Sequence, residues 1–298
     1  MTTNHQLPLI TPPGPAHNVA TGAVRLMLFN AQHAAPGRAR RQAAWIAAQQ
    51  DADLVVITEV GAGPGGQALI EALGEHGYSP VLASEPAAPD YRAILGSRGP
   101  ALTPIPTEIG VLAHRGPAAA VAVGGHTVGL LGLYVPSRGP KQRRNENKRA
   151  FQDAVATALP GFLAQFRGSA IVAGDLNVVE PGHQPHLPVF GAWEYAFYRS
   201  FVDAGMIDAY RASHPDTSEH SWFGRSGNGY RIDHIFVSRQ HEAQVRCCRY
   251  LQAPRHLGLT DHAAMTLTLA PAPAITDAAS VSVHQWYHQQ EVGKPRRR

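Results

Sequence analysis

The sequence predicts a mixed α/β layered sandwich rather than a parallel doubly wound sheet. Three observations carry that expectation. Short runs rich in Val, Ile and Leu recur from residue 24 to residue 270, most of them bounded by Gly, Pro or polar clusters. Helical patterns separate some of these runs, but in the second half the strands are not each followed by a helix. Neither G-x-G-x-x-G nor G-x-x-x-x-G-K-[ST] follows the first strand, which disfavours a nucleotide-binding fold.

The elements follow in order. "VRLMLFNA" (24–31) and "DLVVITEV" (53–60) predict the first two strands. Between them "GRARRQAAWIAAQQ" (37–50) sets Ala43, Ile46 and Ala47 at helical spacing. "GGQALIEALGEHG" (65–77) does the same with Leu69, Ala72 and Leu73, and Gly74 and Gly77 act as stops. Strands are expected at "IGVLAHR" (109–115), "AAAVAVGG" (118–125) and "TVGLLGLYVP" (127–136). "NKRAFQDAVATALPGFLAQF" (147–166) is a long amphipathic stretch carrying Pro160. "GSAIVAGDLN" (168–177) is a strand, and "AWEYAFYRSFVDAGM" (192–206) a helix closed by Gly205. The strands "YRIDHIFVS" (230–238), "QVRCCRYLQ" (244–252) and "HAAMTLTLA" (262–270) complete the pattern. One domain is expected over 24–270, behind a flexible Pro/Gly/Asn lead-in (1–23) and ahead of a tail (271–298) with a basic end.

Composition bounds the function. The 298 residues are 44% hydrophobic, enough for a sizeable core, yet hold no run of 18 apolar residues, so no membrane span is expected. The first residues lack the basic start and apolar stretch of a secretory leader. The only cysteines, Cys247 and Cys248, are adjacent and do not suit a shared disulfide, which makes the cytoplasm the expected location. A net charge of +4 permits an anionic partner without demanding one. Its distribution says more. Arg138, Lys141, Arg143, Arg144, Lys148 and Arg149 crowd one segment, and the chain ends in "GKPRRR". Such a run is a solvated face or, beside an active site, a phosphate-binding surface. No exposed apolar stripe is obvious, and a monomer is expected.

Polar residues collect where core strands should avoid them. Asn30, Glu59 and Tyr134 stand at strand ends, as do Asp175 and Asn177 after "AIVAG". Asp233 interrupts "YRIDHIF", and Asp261 and His262 open the last strand. Carboxylates and amides without thiolates suit a hard cation such as Mg2+ or Mn2+ rather than structural zinc. His183 and His186, three apart in a proline-rich loop, are expected to be solvent-exposed rather than zinc ligands. Alternation along an extended strand would turn Asp175 and Asn177 to one face. Closing a turn is the other reading of that pair. A histidine held by a carboxylate keeps its tautomer and its charge, and can stabilise an oxygen gaining charge.

Together "LFNAQ", "ITEV", "GLYVPS", "GDLNVV", "HSWFGRSGNGYRIDHIFVS" and "LTDHAAM" resemble the endonuclease/exonuclease/phosphatase (DNase I-like) superfamily. They lie in family order over roughly residues 24 to 270. Within it the likeness is to exonuclease III and the abasic-site (AP) endonucleases. The resemblance implies a four-layered sandwich of two packed mixed sheets flanked by helices. It implies that Glu59 binds the metal, with Asn30 supporting the site and Asp261 sometimes counted as a ligand. It makes Asp175 the residue that activates water, with Asn177 as its partner and Tyr134 on the scissile phosphate. Asp233 would orient the catalytic His262.

The expected reaction is metal-dependent hydrolysis of a DNA phosphodiester leaving a 3′-OH. The AP-endonuclease likeness puts a pocket for the base-less sugar at Trp222, Tyr230 and Ile232, with Phe223 read as a core aromatic. Arg143, Arg144 and Lys148 would meet backbone phosphates. Two departures stand out: "NAQ" replaces N-x-N or N-x-D, so one ion is expected rather than two, and "TEV" replaces QET. A sugar, inositol or lipid phosphodiesterase or phosphatase with the same site is the alternative. A nucleic-acid-binding module with a dead site is the third reading.

Overall fold

A computed structural model describes residues 22–85, 90–138 and 142–271, apart from the side chains of 142–144. The lead-in before Gly22, the basic end of the tail, Lys141 and the side chains of Arg143 and Arg144 lie outside the described residues. In chain order the elements are β1 (Val24–Asn30), α1 (Pro36–Ala47), β2 (Leu54–Gly61), α2 (Pro64–Glu75), β3 (Val81–Ala83), β4 (Tyr91–Ser97), β5 (Ala101–Ile105), β6 (Ala118–Val123), β7 (His126–Tyr134), α3 (Gln142–Gln165) and β8 (Ala170–Asp175). There follow α4 (Ala192–Asp203), β9 (Met206–Asp208), α5 (Ala209–Ser213), β10 (Trp222–Phe223), β11 (Gly229–Tyr230), β12 (Asp233–Ser238), β13 (Val245–Leu251), α6 (Ala253–His256) and β14 (Ala264–Leu269).

Among the described residues twelve strands form two six-stranded sheets, ordered β13-β14-β1-β2-β4-β3 and β5-β6-β7-β8-β12-β9, and β10 pairs with β11 apart from them. Each sheet has one parallel pair at its centre, β1 with β2 and β7 with β8, and antiparallel strands outside it. A parallel pair needs a crossover. The helices α1 and α3 supply the two crossovers. The central strands are apolar on both faces, because each sheet is covered twice. Leu26, Leu28, Leu54 and Val56 of one sheet meet Leu130, Ile171, Ala173 and Ile235 of the other in the middle core. The alternate residues Met27, Phe29, Val55 and Ile57 face Ala43, Ile46, Leu69 and Leu73 of α1 and α2. Leu131, Leu133 and Val172 face Phe151, Val155 and Phe201 of α3 and α4 on the other side. The result is the four-layered sandwich of two mixed sheets.

Three differences from the sequence reading stand out. Residues 109–115 form no strand: Leu112 takes φ +49 and Ala113–Arg115 make one 3-10 turn. β4, at 91–97 where no strand is expected, is buried between β2 and β3. The run 230–238 splits at Arg231 and Ile232, so that Gly229–Tyr230 pair with Trp222–Phe223 while Asp233–Ser238 join the second sheet. The helix expected over 147–166 forms within α3, which continues past Pro160 with that residue on its exposed side.

The split at Arg231 buries a polar network. The Arg231 guanidinium donates to Glu180 (2.6 and 2.9 Å) and Asp208 (2.8 Å), and Arg211 pairs with the same Glu180 carboxylate. Burial alone would raise the pKa of Asp208, but Arg231 and His234 beside it hold its carboxyl well below the usual range. A depressed carboxylate contributes stability in full above its unfolded pKa and loses it as pH falls toward the folded value. Stability should therefore drop below about pH 4, by about 1.4 kcal/mol per pH unit from Asp208. Melting temperatures between pH 5 and pH 2.5 check this: the Asp208→Asn variant should show a shallower slope than the wild type, and parallel slopes would refute the assignment.

Candidate active site between the sheet ends

The topology brings the expected residues to one end of the sandwich. Parallel strands run side by side, so Asn30 closes β1 beside Thr58 of β2, with Glu59 the next residue, and Tyr134 and Asp175 close β7 and β8. Antiparallel neighbours begin where those strands end. Asp233 opens β12, and His262 lies two residues before β14. In register, Asp175 has Tyr134 as its partner on one side and Asp233 on the other. Gly174 permits the approach of the two parallel strands, since a Cβ there would come within 2.0 Å of the Leu133 carbonyl oxygen.

Asp175 and Asn177 are neighbours through a turn, not through strand alternation. β8 ends at Asp175, and Asn177 has φ +50, which asparagine tolerates better than most residues. The Asn177 backbone N–H donates to Asp175 Oδ1 (3.0 Å), and its Nδ2 donates to the Val135 carbonyl (2.9 Å). Glu59 is also left-handed, at φ +52, within the stretch where β2 shifts register against β4. Such conformations in non-glycine residues cluster where a site holds them.

The inner groups are almost closed to solvent: Asn30 1%, Asp175 1%, Asp233 1%, Tyr134 4% and His262 4%. Asn30 Nδ2 donates to Asp175 Oδ2 at 3.0 Å, and His262 Nδ1 meets Asp233 Oδ2 at 2.7 Å. Burial alone would strip the proton from His262. Asp233 reverses this and raises its pKa to about 10, so the ring is an imidazolium at neutral pH. Asp175 is pushed well above the usual carboxylate range by burial and by Asp233, with His262 opposing. Tyr134 is held protonated by burial and by Glu59 and Asp175, and donates to Glu59 Oε1 at 3.1 Å. With Nδ1 bound to Asp233, the His262 Nε2–H is left facing Asn30 Nδ2 at 3.4 Å and Asp261 Oδ1 at 3.9 Å. Neither is a good acceptor at that geometry, so this N–H is available to a ligand oxygen.

The carboxylates at this site suit a divalent cation. Ligand atoms of Asp175, Asp233 and His262 lie within 4.8 Å of one another, but the imidazolium has no lone pair to offer, so only the carboxylates can take the ion. Among the described residues the buried oxygens Asp233 Oδ1 and Asp261 Oδ1 have no hydrogen-bond partner. Unpaired buried carboxylate oxygens are costly unless a cation or proton meets them. Glu59 stays partly open, with Oε2 3.6 Å from His33 Nδ1. Asn30 fits a ligand role less well, because its Oδ1 already accepts the Gln32 N–H (2.8 Å). Its carboxamide serves Asp175.

Trp222, Tyr230 and Ile232 come together beside this cluster. Ile232 packs with Val179 and Leu187, and Trp222 and Tyr230 lean on them with rings 5.2 Å apart. Trp222 Nε1 donates to Asp261 Oδ2 (2.9 Å). Phe223 is no core residue: it is 44% exposed, with Arg255 over its ring. His183 is buried instead of exposed, accepting the Arg231 N–H on Nε2, whereas His186 is exposed.

Lys148 does not belong to a phosphate-binding surface. Its side chain is wholly buried and its ammonium pairs with Glu194 at 2.5 Å. α3 turns that one cation inward and leaves Arg149 outside. The residues that sequence reasoning missed act through tertiary contacts: Arg115 over the Tyr134 ring (4.4 Å), Tyr250 donating to the Asp233 carbonyl (2.6 Å) and Ser221 Oγ accepting the Asp233 N–H (3.2 Å). No local pattern marks them.

Comparison with known proteins gives the family and the fold. Residues 27–262 match the model of the Endonuclease/Exonuclease/phosphatase family. A search of curated proteins found no match. Among solved structures, the 3'-5' exonuclease (NExo) from Neisseria meningitidis is similar at 20% identity and TM-score 0.67, covering 82% of this chain and 99% of that one. A structure of the 3' phosphatase NExo from Neisseria bound to a product DNA hairpin is similar at 20% identity and TM-score 0.66, over 83% and 98%. An AP endonuclease from Archaeoglobus fulgidus is similar at 17% identity and TM-score 0.67, over 82% and 98%.

Proposed function

This chain belongs to the endonuclease/exonuclease/phosphatase family, and on that premise we propose that it is a divalent-metal-dependent phosphodiesterase acting on DNA, of the AP endonuclease or 3′-5′ exonuclease type, leaving a 3′-OH. The observation that carries the proposal is the convergence of a base and a donor in one closed cluster. Asp175 has a raised proton affinity, and His262 is an imidazolium aimed by Asp233.

Each residue then has a role. Asp175 accepts the proton of the attacking water, a contribution of roughly 10² to 10⁴ in rate. His262 Nε2–H and the Tyr134 hydroxyl donate to phosphate oxygens that gain charge as phosphorus becomes five-coordinate. Asn177 holds the water or a phosphate oxygen, and the sugar 3′ oxygen leaves. Glu59 and Asp261 would hold one Mg2+ or Mn2+, which when bound offsets the charge of the phosphate and polarises it. Asn30 aligns Asp175. The Trp222, Tyr230 and Ile232 wall would receive a sugar lacking its base, because an abasic nucleotide is the cheapest to flip out. Arg143 and Arg144 would meet flanking phosphates.

The test is magnesium-dependent cleavage of one labelled duplex carrying an abasic analogue, set against a 3′-phosphate end and a soluble phosphate ester. Cleavage beside the analogue supports the proposal. Activity confined to the soluble ester would replace it with a non-nucleic-acid phosphoesterase. In the same assay His262→Ala should lower kcat by ~10²-fold or more. A loss under about tenfold would remove His262 from the mechanism.

A further inference from the structure

Lys148 is buried at the joint between α3 and α4, and its ammonium makes two strong contacts. It donates to the Asn177 carbonyl at 2.8 Å and to Glu194 Oε1 at 2.5 Å, and both charged side chains are wholly shielded from solvent. The second Glu194 oxygen accepts Arg138 Nη1 (2.8 Å) and the Gly191 N–H (2.9 Å). The carboxylate is therefore tied down on both sides before it reaches Lys148.

We infer that Lys148 is a positioning residue, which pins the Asn177 carbonyl and so fixes the turn that presents Asn177 and Asp175. The inference rests on the function proposed above for that turn. At φ +50 the Asn177 backbone leaves the line of β8, and its carbonyl needs a partner outside the strand ladder. The Asn177 backbone N–H and Nδ2 are held within the second sheet and its loops, by Asp175 and by Val135. Lys148 supplies the hold from the helical layer. Stability alone does not account for it, because a buried ion pair contributes little over apolar residues of similar volume. What the pair does supply is a fixed direction: a rigid donor on a helix, braced by Glu194, set against a left-handed residue that would otherwise relax. Displacing a reacting group by about 1 Å can cost about 10² in rate.

The experiment uses the full chain with Lys148→Met and, because that change strands Glu194, also Lys148→Met/Glu194→Leu. The double change removes both charges and should keep the fold. Amide exchange of the peptide covering residues 175–179 is measured without substrate, together with the melting temperature. Exchange there should speed up about tenfold or more while other peptides and the melting temperature hold. Against the labelled duplex, kcat should fall about tenfold or more with KM within about threefold. In an Asn177→Ala background the Lys148 change should cause a smaller loss than in the wild type, since coupled residues are not additive. Unchanged exchange at 175–179, or equal losses in both backgrounds, would overturn the inference. The exchange measurement needs no turnover, so an inactive wild type would count against the proposed function while exchange still decides the role of Lys148.

Discussion

Asp175→Asn should lower kcat by ~10² to 10⁴-fold while leaving DNA affinity in place. Asparagine keeps the size of the side chain but cannot accept the water proton. The same change should not destabilise the fold. Asp175 and Asp233 are cross-strand partners, and their like charges repel in a buried setting. Removing one charge relieves that repulsion, so the melting temperature should hold or rise. This is the pattern of a site kept under strain for activity. Single-turnover cleavage, a binding titration and a thermal melt on the same preparation check all three. A variant that cleaves within about tenfold of wild type would show that another group takes the proton.

Arg231→Met should destabilise the protein by about 3–5 kcal/mol. The guanidinium is fully buried and answers Glu180 and Asp208 together. Its loss would leave Asp208 uncompensated in the interior, next to His234 and Tyr198. Urea denaturation at pH 7 measures the change. A loss under about 1 kcal/mol would mean that Arg211 and His234 suffice to neutralise the two carboxylates. Arg231 also sits where β11 gives way to β12, one residue from Ile232 and two from Asp233. A destabilised network should therefore carry some loss of activity, but at a denaturant concentration where the fold still holds that loss should stay well below the Asp175 effect.

Much of the fold was legible because its signals are local. The apolar runs at 24–31, 53–60, 127–136 and 168–177 are buried on both faces, and such strands announce themselves by composition. β4 was not legible, since its burial comes from β2 and β3 on either side and not from its own letters. The stretch 109–115 misled for the opposite reason. It is apolar enough for a strand, but Gly110 and the left-handed Leu112 end any extended run. The basic segment misled in a third way: a charge run shows how many cations there are, whereas helix phase decides that Lys148 turns inward and Arg149 outward.

The sequence by itself determined which chemical groups stand at or near the strand ends: Asn30, Glu59, Tyr134, Asp175, Asn177, Asp233, Asp261 and His262. It could do so because strand ends are marked by the change from apolar to polar letters along the chain. Only the tertiary structure decided how those groups act on one another. The 2.7 Å pairing of Asp233 with His262, the shielding that raises the proton affinity of Asp175, and the inward turn of Lys148 toward Asn177 all join residues distant in sequence. Proton affinity depends on distance and on exclusion of water, and both exist only once the two sheets have packed.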